Sequence, residues 1–158
     1  MPGKHKDEPG QEAAIPFTSL EEEVFTNLQR TADELMRSVS DLLKPVGLSP
    51  TQYNVLRILR AAGPKGLACG EVAERMITRD PDVTRLLDRL EKRGLVGRRR
   101  EDHDRRVILT RITPQGLEIL HKLDELIPRL HQLQLGHMTE EGLRLMNELL
   151  EAARGAVT

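Results

Sequence analysis

Between Asp80 and Ile112 the chain changes its hydrophobic pattern once, and Gly94 marks the change. Before it, Val83, Leu86, Leu87 and Leu90 recur at the spacing of one helix face, which predicts a helix of about four turns over 80–93. Asp80 is its expected N-cap, Pro81 its first residue and Gly94 its stop. After Gly94, LVGRRR and RVILTRIT are short runs rich in β-branched residues with EDHD between them, a hairpin pattern. At the hairpin tip, RRREDHDRR (98–106) packs five arginines and three acids into nine positions.

This helix and hairpin sit inside a series of further helix signals. Ser19 with Glu22 fits a capping box, and Leu20, Val24, Leu28, Thr31, Leu35, Val39, Leu42 and Val46 then form one long amphipathic stripe ending near Pro45 and Gly47. LSPTQY places Ser49 as N-cap, Pro50 at the first helical position and Gln52 to close a box, so a second helix follows to about Ala62. GPKG (63–66) is a turn, and Cys69 to Met76 a short helix with a weak cap at Ala68. Thr113 with Pro114 starts a helix that carries Leu117, Leu120, Leu123, Ile127, Leu130 and Leu133, with a kink expected at Pro128; Thr139 caps the last helix. Residues 1–17 lack any period and predict a disordered tail.

Two Phe, one Tyr and no Trp leave the core to Leu, Val, Ile and Met, as in helical proteins. The single cysteine, Cys69, excludes an internal disulfide, and the absence of a long apolar run predicts a protein that stays off the membrane, in the cytoplasm. Charge is unevenly placed. Residues 79–106 hold ten of the 24 Lys and Arg and seven of the 25 Asp and Glu, a local excess of three positive charges in a chain of net charge −1. A basic face of this kind suits a polyanion. Going round the 80–93 helix, Arg85, Asp88 and Lys92 lie opposite the apolar stripe, flanked by Thr84 and Arg89.

The order of elements, helix, short helix, helix, hairpin, is that of a winged helix-turn-helix, so the fold expected is mainly α with a small β-hairpin wing. In residues LSPTQYNVLRIL, GEVAERM, VTRLLDRLEKRGLVGRR, DRR and LTRITPQGLEIL, in that order and spacing, the chain resembles the MarR family of bacterial transcriptional regulators over about residues 20–153. The resemblance implies a homodimer, a palindromic double-stranded DNA operator, repression more often than activation, and release by a small-molecule effector. It divides the chain into a dimerisation helix (18–47), a DNA-binding domain (48–113) and C-terminal dimerisation helices (114–158).

Under that resemblance Arg85, Thr84 and Asp82 would read bases, while Arg79, Arg89 and Lys92 would meet phosphates. Asp82 stays open between an acid that stabilises the helix start and an acceptor for a cytosine amino group; Asp80 is favoured as the cap. Arg105 and Arg106 would supply the wing, with Arg106 in the minor groove and Asp104 orienting it. Amides after Ser49 could hold a phosphate. An effector pocket would be lined by Leu28, Tyr53 and Leu56.

Other readings are weaker. A redox-responsive regulator would use Cys69, which is expected instead to be a small buried residue. A metal-responsive one would use His121, His131 and His137, whose spacing does not bring them to one helical turn. A winged helix serving only protein contact would not need the wing arginines. No catalytic motif or cofactor-binding pattern is present, which points away from an enzyme.

Overall fold

The computed structural model describes residues 16–101 and 106–155. The chain divides into two compact units, residues 1–34 and 35–158, and the first helix, α1 (Leu20–Leu43), runs across the boundary. In the first unit the Ser19 hydroxyl accepts from Glu22 N at 3.2 Å, but the Glu22 carboxylate reaches back to the amide and hydroxyl of Thr18, both at 2.6 Å, rather than to Ser19. Those two bonds hold the Glu22 carboxyl below its ordinary range. Leu20, Val24, Phe25 and Leu28 are all exposed there, Leu20 to 71%.

The second unit begins with the last turns of α1, which a Schellman motif closes. Gly47, at φ 66°, donates to Lys44 O at 2.9 Å, and Leu48 N donates to Leu43 O at 3.3 Å. Helix α2 (Pro50–Ala62) starts with the expected capping box, Gln52 N to Ser49 Oγ and Ser49 N to Gln52 Oε1, each at 3.1 Å. A two-residue strand, β1 (Leu67–Ala68), leads into α3 (Cys69–Arg75), whose Glu71 accepts from Ala68 N at 2.8 Å and makes up part of the missing side-chain cap. Then follow α4 (Val83–Lys92), β2 (Val96–Arg100) and β3 (Ile108–Ile112).

The sheet has three strands in the order β1-β3-β2, all antiparallel. The hairpin pattern accounts for β2 and β3 only. A two-residue strand is too short to show a period in sequence, and β1 exists because Leu67 and Ala68 pair with Thr110 and Leu109 across the sheet. The arrangement is a winged helix-turn-helix.

The C-terminal part departs from the expected kinked helix. It is broken at Asp124 and Glu125 into α5 (Pro114–Leu123) and α6 (Leu126–Leu135), followed by α7 (Glu140–Gly155). Pro128 is the reason, although the break precedes it. Proline has no N–H for the carbonyl four residues earlier, that of Asp124, and its ring crowds that carbonyl, so the chain turns there and Pro128 sits in the first turn of α6.

One core unites the second unit. Val39 and Leu43 of α1, Val55, Leu56 and Leu59 of α2, Val72 of α3, Val83, Leu86, Leu87 and Leu90 of α4, Leu95, Val96, Leu120, Leu123 and Ile127 are buried together. Gly116 lets α5 approach the sheet, since a Cβ there would lie 2.4 Å from Leu95 O and 2.8 Å from Ile112 Cγ1. Gly116→Ala is therefore expected to lower stability by about 1–3 kcal/mol in denaturant unfolding; an unchanged midpoint would show that this packing is looser than described.

Candidate nucleic-acid interface

Helix α4 is held by its apolar stripe and presents the rest of its surface outward. Thr84, Arg85, Arg89 and Lys92 are exposed, as is Arg79 in the turn ahead of the helix. That turn is pinned from α2, where the Asn54 carboxamide oxygen accepts from Ile77 N at 3.1 Å. Nothing in the apolar spacing points to Asn54; a polar residue in the half-buried part of α2 is the signal available in sequence.

The start of α4 corrects the capping assignment. Asp82, not Asp80, is the N-cap, and its Oδ1 accepts from Arg85 N at 3.1 Å. Asp80 acts one step earlier, accepting from Asp82 N at 2.8 Å, and the Asp80–Pro81–Asp82 segment is a turn rather than the first helical turn. Two aspartates flanking a proline offer the same cap chemistry twice, and the second wins because the first is used to fold the turn. The other oxygen of Asp82 lies 3.0 Å from Arg85 Nε. Arg85 is 77% exposed, so this pair contributes orientation more than stability.

The far end of α4 is equally well fixed. Gly94, at φ 71°, and Leu95 complete a second Schellman motif, donating to Glu91 O at 2.8 Å and Leu90 O at 3.0 Å. Arg93 donates to the carbonyls of Gly47 and Val46, the latter at 3.0 Å, and so ties the end of α4 to the turn after α1. Thr113 caps α5 through Gly116 N at 3.1 Å and also donates to Gly94 O at 2.7 Å, which joins three elements at one point.

On the wing, β2 pairs with β3 in the register Arg98↔Thr110, Arg99↔Leu109 and Arg100↔Ile108, and Glu101 N donates to Val107 O at 2.9 Å beyond the last pair. Arg99, Arg100 and Arg106 are exposed. Arg98 is different, at 22% exposed, with its guanidinium turned onto α4. Asp104 and Arg105 lie outside the described residues.

Of the remaining predicted residues, Ser49 uses its hydroxyl and its own amide in the capping box, and Pro50 has no N–H, which narrows the anion-binding amides there to that of Thr51. Cys69 is half-buried rather than buried, with Sγ 3.7 Å from Thr84 Oγ1. Leu56 is wholly buried in the core, Tyr53 half-buried beside it, and Leu28 is 40% exposed. His121, His131 and His137 are exposed, and among the described residues no group of three or more His, Cys, Asp or Glu could hold a metal ion. Among the described residues no helix is long and apolar enough to cross a membrane.

Two stability tests follow. Asp82→Ala removes the cap of α4 and is expected to lower unfolding free energy by about 1 kcal/mol, whereas Asp82→Asn should retain most of it; equal losses for both would contradict a capping role. Tyr53 is the single tyrosine, and burial raises its phenol above the ordinary 10.0, reinforced by Asp124 and opposed by Arg57 and Arg60. The folded state thus favours the neutral phenol, so this stabilisation is complete below the ordinary value and falls as pH climbs through the higher folded one. A phenolate absorbance titration should show one transition displaced upward; a midpoint at or below 10.0 would contradict it.

Comparison with known proteins agrees with this geometry. A MarR family model matches residues 48–108. The transcriptional repressor MprA of Escherichia coli is 30% identical over 141 residues, 87% of this chain and 74% of that protein. A solved MarR transcription factor from Planctomyces limnophilus is 39% identical, covering 87% of this chain and 99% of that one, with a TM-score of 0.66. A MarR variant from E. coli complexed with operator DNA superposes with a TM-score of 0.76, covering 86% of this chain and 99% of that one; at 24% identity that likeness bears on the fold alone.

Proposed function

The chain belongs to the MarR family of transcriptional regulators, and from that premise we propose that it is a cytoplasmic repressor, a homodimer that binds a palindromic operator and is released by a small-molecule effector. That it is a transcriptional regulator with a DNA-binding winged helix is the family's own character; its relatives are regulators, not enzymes. The observation that carries the finer reading is the exposed polar face of α4, with Arg85 oriented by Asp82 and Arg89 and Lys92 one and two turns on.

In this reading α4 enters the major groove. Arg85 reads a base, best a guanine, through its planar fork, with Thr84 beside it, and Arg79, Arg89 and Lys92 meet phosphates. Asp82, with both carboxylate oxygens engaged by Arg85, acts on DNA through that arginine rather than as a reader of cytosine. The wing reaches the neighbouring minor groove through Arg106. The amide at the start of α2 after Ser49 contributes one phosphate contact.

Residues 18–47 and 114–158 serve dimerisation in this reading, with 48–113 the DNA-binding domain. Exposed apolar side chains support it: Leu20 at 71% and Phe25 at 60% on α1, Leu133 at 76% on α6 and Leu149 at 61% on α7. Apolar surface of this amount is expected to be covered by a second copy. The effector site follows the family; within the second unit Tyr53, with a polar group and partial exposure, is its contact, whereas Leu56 is wholly buried.

Selection of bound duplexes from a random-sequence pool at stated salt should recover an inverted repeat whose half-sites are about one helical turn apart, roughly 34 Å. On that duplex Arg85→Ala is expected to cost about 1–3 kcal/mol and to relax one position. Lys92→Ala should weaken all sequences alike and lower the salt slope by about one. Recovery of unrelated sequences, or indifference to Arg85→Ala, would refute the reading.

A further inference from the structure

Arg98 belongs to the same arginine run as Arg99 and Arg100, but it is 22% exposed where those two are exposed, because it lies against α4. Strand alternation puts it on the face of β2 that carries Val96, itself 2% exposed. From there its guanidinium runs along one stripe of α4. Nη1 lies 2.7 Å from Asp88 Oδ1, Nε lies 3.6 Å from Glu91 Oε2, and Nη2 donates to Thr84 O at 3.3 Å. Thr84, Asp88 and Glu91 are positions i, i+4 and i+7, successive turns of one helix face. A planar fork with five donors can serve three such acceptors at once, which an ammonium on a flexible stem cannot.

The two acids are otherwise hard to account for. Asp88 and Glu91 place negative charge on the helix that the proposed function puts against a polyanion, where each would repel phosphate. Both are 42–44% exposed, so they lie partly withdrawn from water beside Arg98, which is itself largely covered.

We propose that Arg98 is a positioning residue that clamps the wing strand to the reading helix, and that Asp88 and Glu91 strengthen operator binding by holding that clamp. This rests on α4 and the wing being the DNA-reading surface. Helix and wing then meet the duplex as one body with a set angle, and the register between groove contacts and the wing is carried by β2. The sign of the effect is unusual: removing negative charge from a DNA-facing helix should weaken specific binding.

The test uses the full chain and a duplex recovered by selection from the random pool, with random-sequence duplex as the reference. Asp88→Asn with Glu91→Gln is expected to weaken binding to the selected duplex roughly tenfold, the equivalent of one charge-assisted hydrogen bond, while random duplex binds as before or slightly tighter. Arg98→Gln should lower selected-duplex affinity without changing the slope of log K against log salt, and Arg98→Lys should fail to restore it. Equal or tighter binding of the double acid variant to the selected duplex overturns the proposal. So does a slope reduced by about 0.9 in Arg98→Gln with rescue by lysine, which marks a phosphate contact. Arg85→Ala separates the two levels: if it leaves selected-duplex affinity unchanged, the DNA-reading assignment of α4 fails, whatever Arg98 does. Circular dichroism melts of each variant confirm that the fold is retained.

Discussion

The burial of one stripe of α4 decides what the molecule can present. Val83, Leu86, Leu87 and Leu90 all enter the core, and each fully buried aliphatic side chain is stabilised by about 1.5–3 kcal/mol relative to exposure. Rotating α4 about its axis would bring these side chains into water and put Arg85 and Arg89 into the apolar interior, which is strongly unfavourable. The outward face is therefore set by the inward one. Its two ends are set independently, by Asp82 at the start and by Gly94 with Arg93 at the finish.

The charged side chains then separate into two groups that composition cannot distinguish. Some arginines are structural fasteners: Arg93 on the carbonyls after α1, Arg98 on α4, Arg60 on Asp124 at 2.7 and 2.9 Å between α2 and the break after α5. Others stand exposed: Arg85, Arg89 and Lys92 on the side of α4 away from the core, and Arg79 in the turn ahead of it. The first group gives the second a stable frame. A guanidinium suits both tasks because its donors are fixed in a plane and its charge persists at every relevant pH.

Much of this arrangement was legible in the sequence. Helical period and cap chemistry located α1, α2, α4, α5 and α7, and Ser49, Thr113 and Thr139 all cap as their neighbours Pro50, Pro114 and Glu140 suggest. What escaped depends partly on contacts between residues far apart in the chain and partly on which of several local options the chain takes. β1 is defined by its partner strand and not by its own two residues. The choice between Asp80 and Asp82 turns on which of two identical side chains folds the turn. The break before Pro128 follows from a carbonyl four residues upstream, a rule that was available but points to a position other than the proline itself. Arg98 could have been separated from Arg99 by extending the alternation of Val96, while Asn54 bonded to Ile77 required the packing of α2 on the turn before α4.

The central claim is that α4 occupies the major groove in two copies held at a distance matched to the duplex. Methylation interference at guanine N7, which lies in the major groove, addresses it most directly. The account predicts two clusters of interfering guanines with centres about ten base pairs apart, related by a dyad. A single cluster, or interference confined to adenine N3 in the minor groove, would contradict it.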